Sequence, residues 1–260
     1  MSYKGAALRA ANDITSTVFF ASRQLPTFYC GRWMWIPSTM WDSLYSRYEL
    51  PVAQAIRDHL HEGQTFWDIG ANVGWFSLFA SKIVGPSGRV VSFEPAPEVF
   101  DILSAHANTV DGVTVVRAGI GNADEVRMFA AQGNSPSSSF VEEVTKINFD
   151  FNPSIPIQNI EVELRKIDSL LTELGSTPSL LKIDVEGFEL EVLRGASDLL
   201  SSGRPTLIIE VHPLQLNLSG GTEELLFQFL RSRRYGWEVI DRNPNSLYTI
   251  IAKPLEAATQ

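Results

Sequence analysis

One cysteine, Cys30, stands in a chain of 260 residues. No disulfide can form within such a chain, which excludes a disulfide-stapled scaffold and makes a cytoplasmic setting the simplest expectation. Cys30 itself reads as a small buried hydrophobe rather than a nucleophile. Basic residues are also scarce: 21 Lys and Arg against 30 Asp and Glu leave a formal net charge of −9. A protein that grips nucleic acid through its phosphates needs a basic face, so nucleic acid is not an expected partner. Long apolar runs are missing. The stretch from Thr15 is apolar for only a few residues before Arg23, too short to span a bilayer, so no stable membrane insertion is expected. There is no internal repeat and no compact metal-ligand motif. No resident metal is expected, although Asp184, Glu210 and His212 are donors of the kind a divalent ion takes.

What remains is ordinary for a globular protein, 44% hydrophobic and 20% charged, in a chain long enough for one well-filled core. Residues 1–50 read as an N-terminal extension and 51–260 as one α/β domain. Within the extension, Phe28 through Trp41 is rich in aromatics, including Tyr29, Trp33 and Trp35. Packing onto the core accounts for such a cluster, with a substrate lid or a face for a second copy of the chain as the alternatives.

From Pro51 onward strand-like and helix-like segments alternate, which implies a mainly parallel sheet covered by helices. The pattern predicts a helix from Pro51 to Leu60, a strand over 65–69 and a helix over 75–84. A strand over 90–93, a helix from Pro97 to about Asn108 and a strand over 113–117 follow. Segments 125–131 and 160–167 read as half-exposed strands around a Ser/Pro/Asn-rich loop, Gly133 to Phe140 and onward past Pro156. Loops that long inside a domain are commonly functional, and this one is expected to be an insertion over the ligand end of the sheet. Strand 180–183, helix 188–200, strand 206–211 and helix 222–233 come next, and a hairpin-like pair over 237–240 and 246–252 closes the chain.

The most telling segment is Phe66-Trp67-Asp68-Ile69-Gly70-Ala71-Asn72-Val73-Gly74, with Glu94 ending the next apolar run. Strand, glycine turn, helix, strand and acid is the sequence form of a nucleoside-binding βαβ unit. The close G-x-G pair that lets a dinucleotide pyrophosphate approach the backbone is absent. Asp68 stands there instead. It would repel a pyrophosphate but suits an ammonium group, met directly or through water. A ligand with an amino acid end and a sulfonium but no phosphate fits: S-adenosylmethionine. Glu94 is placed to accept from both ribose hydroxyls.

Ligands of an open α/β sheet sit beyond the carboxyl ends of its strands, so Asp68, Glu94, Gly119 to Gly121, Asp184 and Glu210 to His212 should surround one crevice. Gly70, Ala71 and Asn72 would meet the methionine part. The Arg117 to Gly121 turn would border adenine, and Asn122 either bonds the base or only makes the turn. Asp184 and Glu186 lie two apart, one facing the cofactor amine and the other the acceptor, or else supplying negative charge to a helix start. Lys182, in an apolar strand, either pairs with an acid in the crevice or snorkels at an edge. Methyl transfer is an in-line displacement that needs alignment and a group to take the acceptor proton. His212, just past a core strand, is the preferred base, with Glu210 as an orienting or alternative base and a purely structural histidine as the competing view.

The run Leu181-Lys-Ile-Asp184-Val185-Glu186-Gly-Phe-Glu-Leu-Glu-Val-Leu-Arg-Gly-Ala196 closely resembles the signature of the FkbM family of methyltransferases. With the Asp68 to Gly74 turn and Phe93-Glu94-Pro95, the likeness extends from about Tyr48 to Val211. It implies the Rossmann-like class I methyltransferase fold, a seven-stranded, mainly parallel sheet with an antiparallel last strand. Here that fold would carry the N-terminal extension and a β-hairpin/loop insertion. The likeness also implies S-adenosylmethionine as cofactor, held by Asp68, Gly70, Ala71, Asn72, Glu94, Pro95, Gly119, Ile120, Asp184 and Val185, with Glu49 near its entrance. His212, Glu210 and Glu186 would serve catalysis on a hydroxyl of a sugar, glycolipid or polyketide-type small molecule. An NAD-dependent oxidoreductase and a non-catalytic cofactor-binding scaffold are the alternatives.

Overall fold

The computed structural model describes residues 24–29, 32–37, 49–133, 138–147, 153–242 and 247–256. Cys30, Tyr48, the apolar stretch before Arg23 and residues 134–137 of the Ser-rich loop lie outside them. No helix among the described residues is long and apolar enough to cross a membrane.

An antiparallel hairpin, β1 (Gln24–Tyr29) and β2 (Arg32–Pro37), comes first. Helix α1 (Leu50–His59) then leads into β3 (Thr65–Ile69), α2 (Trp75–Val84), β4 (Arg89–Phe93), α3 (Pro97–Ala107) and β5 (Val113–Val116). A small sheet follows: β6 (Gly119–Ile120), β7 (Glu125–Ala131) and β8 (Gln158–Arg165), with α4 (Glu142–Ile147) inside the insertion. Helix α5 (Ile167–Leu174), β9 (Leu180–Ile183), α6 (Glu189–Arg194), a π-helical turn (Leu199–Gly203) and β10 (Thr206–Val211) come next. Helices α7 (Pro213–Leu218) and α8 (Glu223–Ser232) precede the closing pair β11 (Tyr235–Arg242) and β12 (Tyr248–Pro254).

The main sheet has seven strands in the order β11-β12-β10-β9-β3-β4-β5. β12 runs antiparallel to both neighbours and the remaining strand pairs of this sheet run parallel, as the sequence led us to expect. The order reverses between β3 and β9, and open sheets of this kind bind ligands at such a switch point.

Side chains alternate across the strands, so each strand feeds two cores. Trp67, Ile69, Leu181, Ile183, Leu207 and Ile209 pack on one face with α6 and α8. Phe66, Leu180, Ile208 and Ile251 pack on the other with α1 and α2. The same alternation carries Asp68 and Lys182 onto the second face. Tyr29 of the hairpin meets Trp75 and Phe79 edge-on, with ring centroids 5.0 and 5.5 Å away. This aromatic of the extension is therefore packed against the domain, while Phe28 and Trp35 are exposed.

Three short helices escape the sequence pattern. α7 exposes Leu214 and Leu218, which blurs its apolar stripe. α5 follows β8 without a Gly or Pro break, and α4 has only six residues. The helix expected over 188–200 is interrupted after Arg194 and resumes at 197, running into the π-helical turn Leu199–Gly203. Gly195 there touches the 119–121 segment so closely that a Cβ would lie 1.9 Å from the Gly121 carbonyl oxygen.

Candidate active site

Strand register builds the site. Ile69 pairs with Phe93 on one side and with Ile183 on the other, and Ile183 pairs with Ile209. The residues just after these, Gly70, Glu94, Asp184 and Glu210, therefore form one row along the carboxyl edge of the sheet. They line a cavity of about 510 Å³. Of the residues expected at the site, Glu49, Gly70, Ala71, Asn72, Glu94, Pro95, Gly119, Ile120, Asp184, Val185, Glu186, Glu210 and His212 line it, whereas Asp68, Gly121 and Asn122 do not. Ser138, Ser139 and Phe140 of the insertion also border it, so the insertion does lie over the ligand end of the sheet.

Asp68 is 1% exposed and sits one layer beneath. Its even position on β3 turns it toward α2, where Ser77 Oγ donates to Oδ2 at 2.7 Å. Its other oxygen is 3.8 Å from Lys182 Nζ. Burial pushes the Asp68 carboxyl above its ordinary range, partly offset by Lys182 and Ser77. Asp68, expected from sequence to meet a cofactor ammonium directly or through water, stands under the cavity wall and does not line it. Asn122 is exposed and does not line the cavity, which leaves it the turn.

The glycine turn is held tightly. Gly70 and Ala71 N–H both donate to the Phe93 carbonyl, at 3.1 and 2.9 Å, and Asn72 N–H donates to Glu94 Oε2 at 3.1 Å. The backbone donors expected to face a ligand are thus already engaged. Gly70 has φ +75°, and a Cβ on it would lie 1.8 Å from the Asp184 carbonyl oxygen, so only glycine fits. Glu94 Oε1 accepts from Ala96 N–H at 3.0 Å. Burial raises the Glu94 carboxyl to about 7, against the lowering effect of these two N–H groups.

At the far end, Lys182 Nζ donates to Asp184 Oδ2 at 2.9 Å and stands 5.3 Å from the Phe76 ring centroid. It pairs with an acid of the crevice, one of its two sequence-level readings. Burial disfavours its charge, but Asp184 and Asp68 outweigh that and hold Lys182 above its ordinary range. Burial likewise opposes ionisation of Asp184, and Lys182 followed by His212 reverses the sign, leaving it low. Glu210, half-buried beside the charged Asp184, is pushed up to about 9, by burial first and by that neighbour second.

His212 is 1% exposed. Its Nδ1 lies 2.7 Å from Glu189 Oε1, and its Nε2 lies 3.5 Å from Glu186 Oε2 and 3.9 Å from Asp184 Oδ1. Burial lowers the imidazole, but the bond to Glu189 and the charge of Glu186 raise it further, leaving it well above its usual value. Sequence reasoning missed Glu189. Its only signal was an acid at the start of a helix, which ordinarily means a solvated end charge.

Donor atoms of Asp184, Glu210 and His212 all lie within 4.8 Å of one another, close enough to share one divalent ion. Asp184 already holds the Lys182 ammonium, so part of that donor set is spoken for. Strain marks the same cavity. Of the five non-glycine residues with positive φ among the described residues, Glu49 (41°), Asn72 (51°) and Glu186 (52°) line it. Such conformations cost of order 1 kcal/mol or more each and cluster at functional sites.

The family model for the methyltransferase FkbM domain matches residues 68–245. The hexuronic acid methyltransferase AglP of Haloferax volcanii is 28% identical over 169 residues, 64% of this chain and 63% of that protein. The 31-O-demethyl-FK506 methyltransferase FkbM of Streptomyces tacrolimicus is 29% identical over 176 residues, 59% of this chain and 67% of that one. Among solved structures, Aeropyrum pernix fibrillarin in complex with S-adenosyl-L-methionine shares the fold, with a TM-score of 0.52 at 14% identity, covering 90% of this chain and 83% of fibrillarin.

Proposed function

Because the chain belongs to the FkbM methyltransferase family, we propose that it transfers a methyl group from S-adenosylmethionine to a hydroxyl oxygen of a small-molecule or glycan acceptor. One observation carries the reading. Register brings Gly70, Glu94, Asp184 and Glu210 into a single row over one cavity, with His212 at its end.

In this reading the cofactor lies along that row. The Glu94 carboxylate keeps lone pairs beyond its two backbone bonds and accepts from ribose hydroxyls. Pro95, Gly119 and Ile120 border the base. Glu49, Gly70, Ala71, Asn72, Asp184 and Val185 surround the methionine end, and Asp68 acts from beneath through Lys182. The surplus of carboxylates suits a cationic sulfonium. When bound, S-adenosylmethionine would supply an electrophilic methyl group for in-line displacement by the acceptor oxygen, and His212 Nε2, in the neutral imidazole, would take the acceptor proton. Glu186 and Glu210 stand beside that nitrogen or the acceptor. Alignment in a partly dry cavity and proton removal are what this chain supplies.

The naming of relatives as hexuronic acid and 31-O-demethyl-FK506 methyltransferases supports a hydroxyl acceptor. The net charge of −9 supports a small or neutral acceptor over nucleic acid, and the lone cysteine supports a cytoplasmic setting. We read residues 1–50 as a cover over the domain 51–260, since Tyr29 is seated on α2 and Glu49 reaches the cavity. The exposed Phe28 and Trp35 are the face it would offer a second copy.

Titration calorimetry with S-adenosylhomocysteine tests the cofactor assignment. Saturable binding is expected, weakened by Glu94→Ala and absent for NAD. NAD binding with no response to the homocysteine nucleoside would move the protein to the oxidoreductases.

A further inference from the structure

We infer that Glu189 is a positioning residue that fixes which nitrogen of His212 faces the cavity. This rests on the reading of His212 as the proton acceptor and adds the group that sets its tautomer.

Glu189 is 0% exposed although it opens a helix, a rare state for a glutamate without a partner. Its Oε1 accepts from Gly187 N–H at 2.9 Å and lies 2.7 Å from His212 Nδ1. The oxygen is thus pinned by the backbone before it meets the ring. Gly187 has φ +93°, and a Cβ there would come within 2.5 Å of the Gln215 carbonyl carbon. The Gly187 loop and the start of α7, which carries His212 as its preceding residue, are therefore pressed together with no room for a side chain between them.

A carboxylate only accepts hydrogen bonds, so Nδ1 must be the donor. The neutral imidazole then has its lone pair on Nε2, the nitrogen that faces Glu186 and Asp184 beside the cavity. Glu189 Oε2 is buried without a hydrogen bond among the described residues. A buried polar atom left without a hydrogen bond is destabilising. A leucine would suit packing better. The carboxylate is explained by what its other oxygen does to His212.

The test uses the full 15N-labelled chain. Long-range 1H–15N correlation spectra are recorded at alkaline pH, where the imidazole is neutral, and His212 is assigned by its loss in His212→Gln. The expected result is the Nδ1–H tautomer in the wild-type protein. Glu189→Gln should keep it, because the Gly187 amide selects the Gln oxygen for the shared position, whereas Glu189→Ala should release the ring to the Nε2–H form. An Nε2–H tautomer in the wild type overturns the proposal without any variant, and an unchanged tautomer in Glu189→Ala overturns it too. Calorimetry with S-adenosylhomocysteine on the same samples keeps the two readings apart. Lost wild-type binding sinks the cofactor assignment and leaves the tautomer result intact, while normal binding with the wrong tautomer sinks only the role of Glu189.

Discussion

Lys182 and Asp184 form an ion pair two residues apart on one strand edge, Nζ to Oδ2 2.9 Å, with Lys182 almost wholly buried. The same ammonium is the only cation within 4.0 Å of the buried Asp68 among the described residues. Breaking a buried pair by removing one partner costs about 3–5 kcal/mol, because the other charge is left in low dielectric. Lys182→Met should lose stability of that order in urea denaturation. Adding Asp68→Asn to it should recover part of the loss. Equal stability of Lys182→Met and wild type would show that neither acid depends on the ammonium.

Gly70→Ala should be more damaging than its size suggests. The position combines φ +75° with a Cβ that would sit 1.8 Å from the Asp184 carbonyl oxygen, so both the turn and the β9 edge must move. A destabilisation of a few kcal/mol and loss of S-adenosylhomocysteine binding are expected. Calorimetry and thermal melts on the same sample measure both.

Glu94 should make cofactor affinity pH-dependent. Its carboxyl titrates near 7 in the free fold, through burial first and the nearby Asp184 and Asp68 charges, against the Ala96 and Asn72 N–H groups. The ionised form accepts from ribose hydroxyls, so S-adenosylhomocysteine should bind more tightly as pH rises from 6 to 8, and Glu94→Gln should flatten that slope. Stability runs the other way. The folded value lies above the ordinary glutamate value of 4.5, so the native state binds more protons than the unfolded chain between the two. This group's contribution therefore falls as pH rises from 4.5 through 7, by about 3 kcal/mol at most.

Glu210→Gln should stabilise the protein while impairing it. Burial and Asp184 push the Glu210 carboxyl up to about 9, so folding at neutral pH must hold a proton that the unfolded chain has already released. An amide keeps a hydrogen-bonding group next to Asp184 without that linkage. Allowing for its partial exposure, a gain of about 1–2 kcal/mol at pH 8 is expected, read as a higher Tm, together with slower methyl transfer once an acceptor is in hand. A lower Tm would mean that the Glu210 side chain contributes more through its contacts than its burial costs.

Much of the site was legible in the chain because strands of one parallel sheet share a direction. Any acid or glycine that ends an apolar run belongs to the same edge, which is how Gly70, Glu94, Asp184, Glu210 and His212 could be grouped without coordinates. Asp68 was misplaced by the same logic. It also stands near a strand end, but one residue of pleat decides between facing the cavity and facing α2, and the alternation of Phe66 and Trp67, both apolar, does not say which. Glu189 was hidden for a different reason. A glutamate in a first helical turn looks solvated until another element covers it.

The amino-acid order alone determined the alternation of strand and helix, the presence of a glycine turn after the first core strand, and the acids at the strand ends. These follow from local sterics and from periodicity, which need no partner. The tertiary structure decided which of those acids meet a cation, which are buried, and that Glu189 lies against the His212 ring. Burial and charge pairing depend on residues more than a hundred positions apart, such as Asp68 and Lys182, and only the completed sheet brings them together.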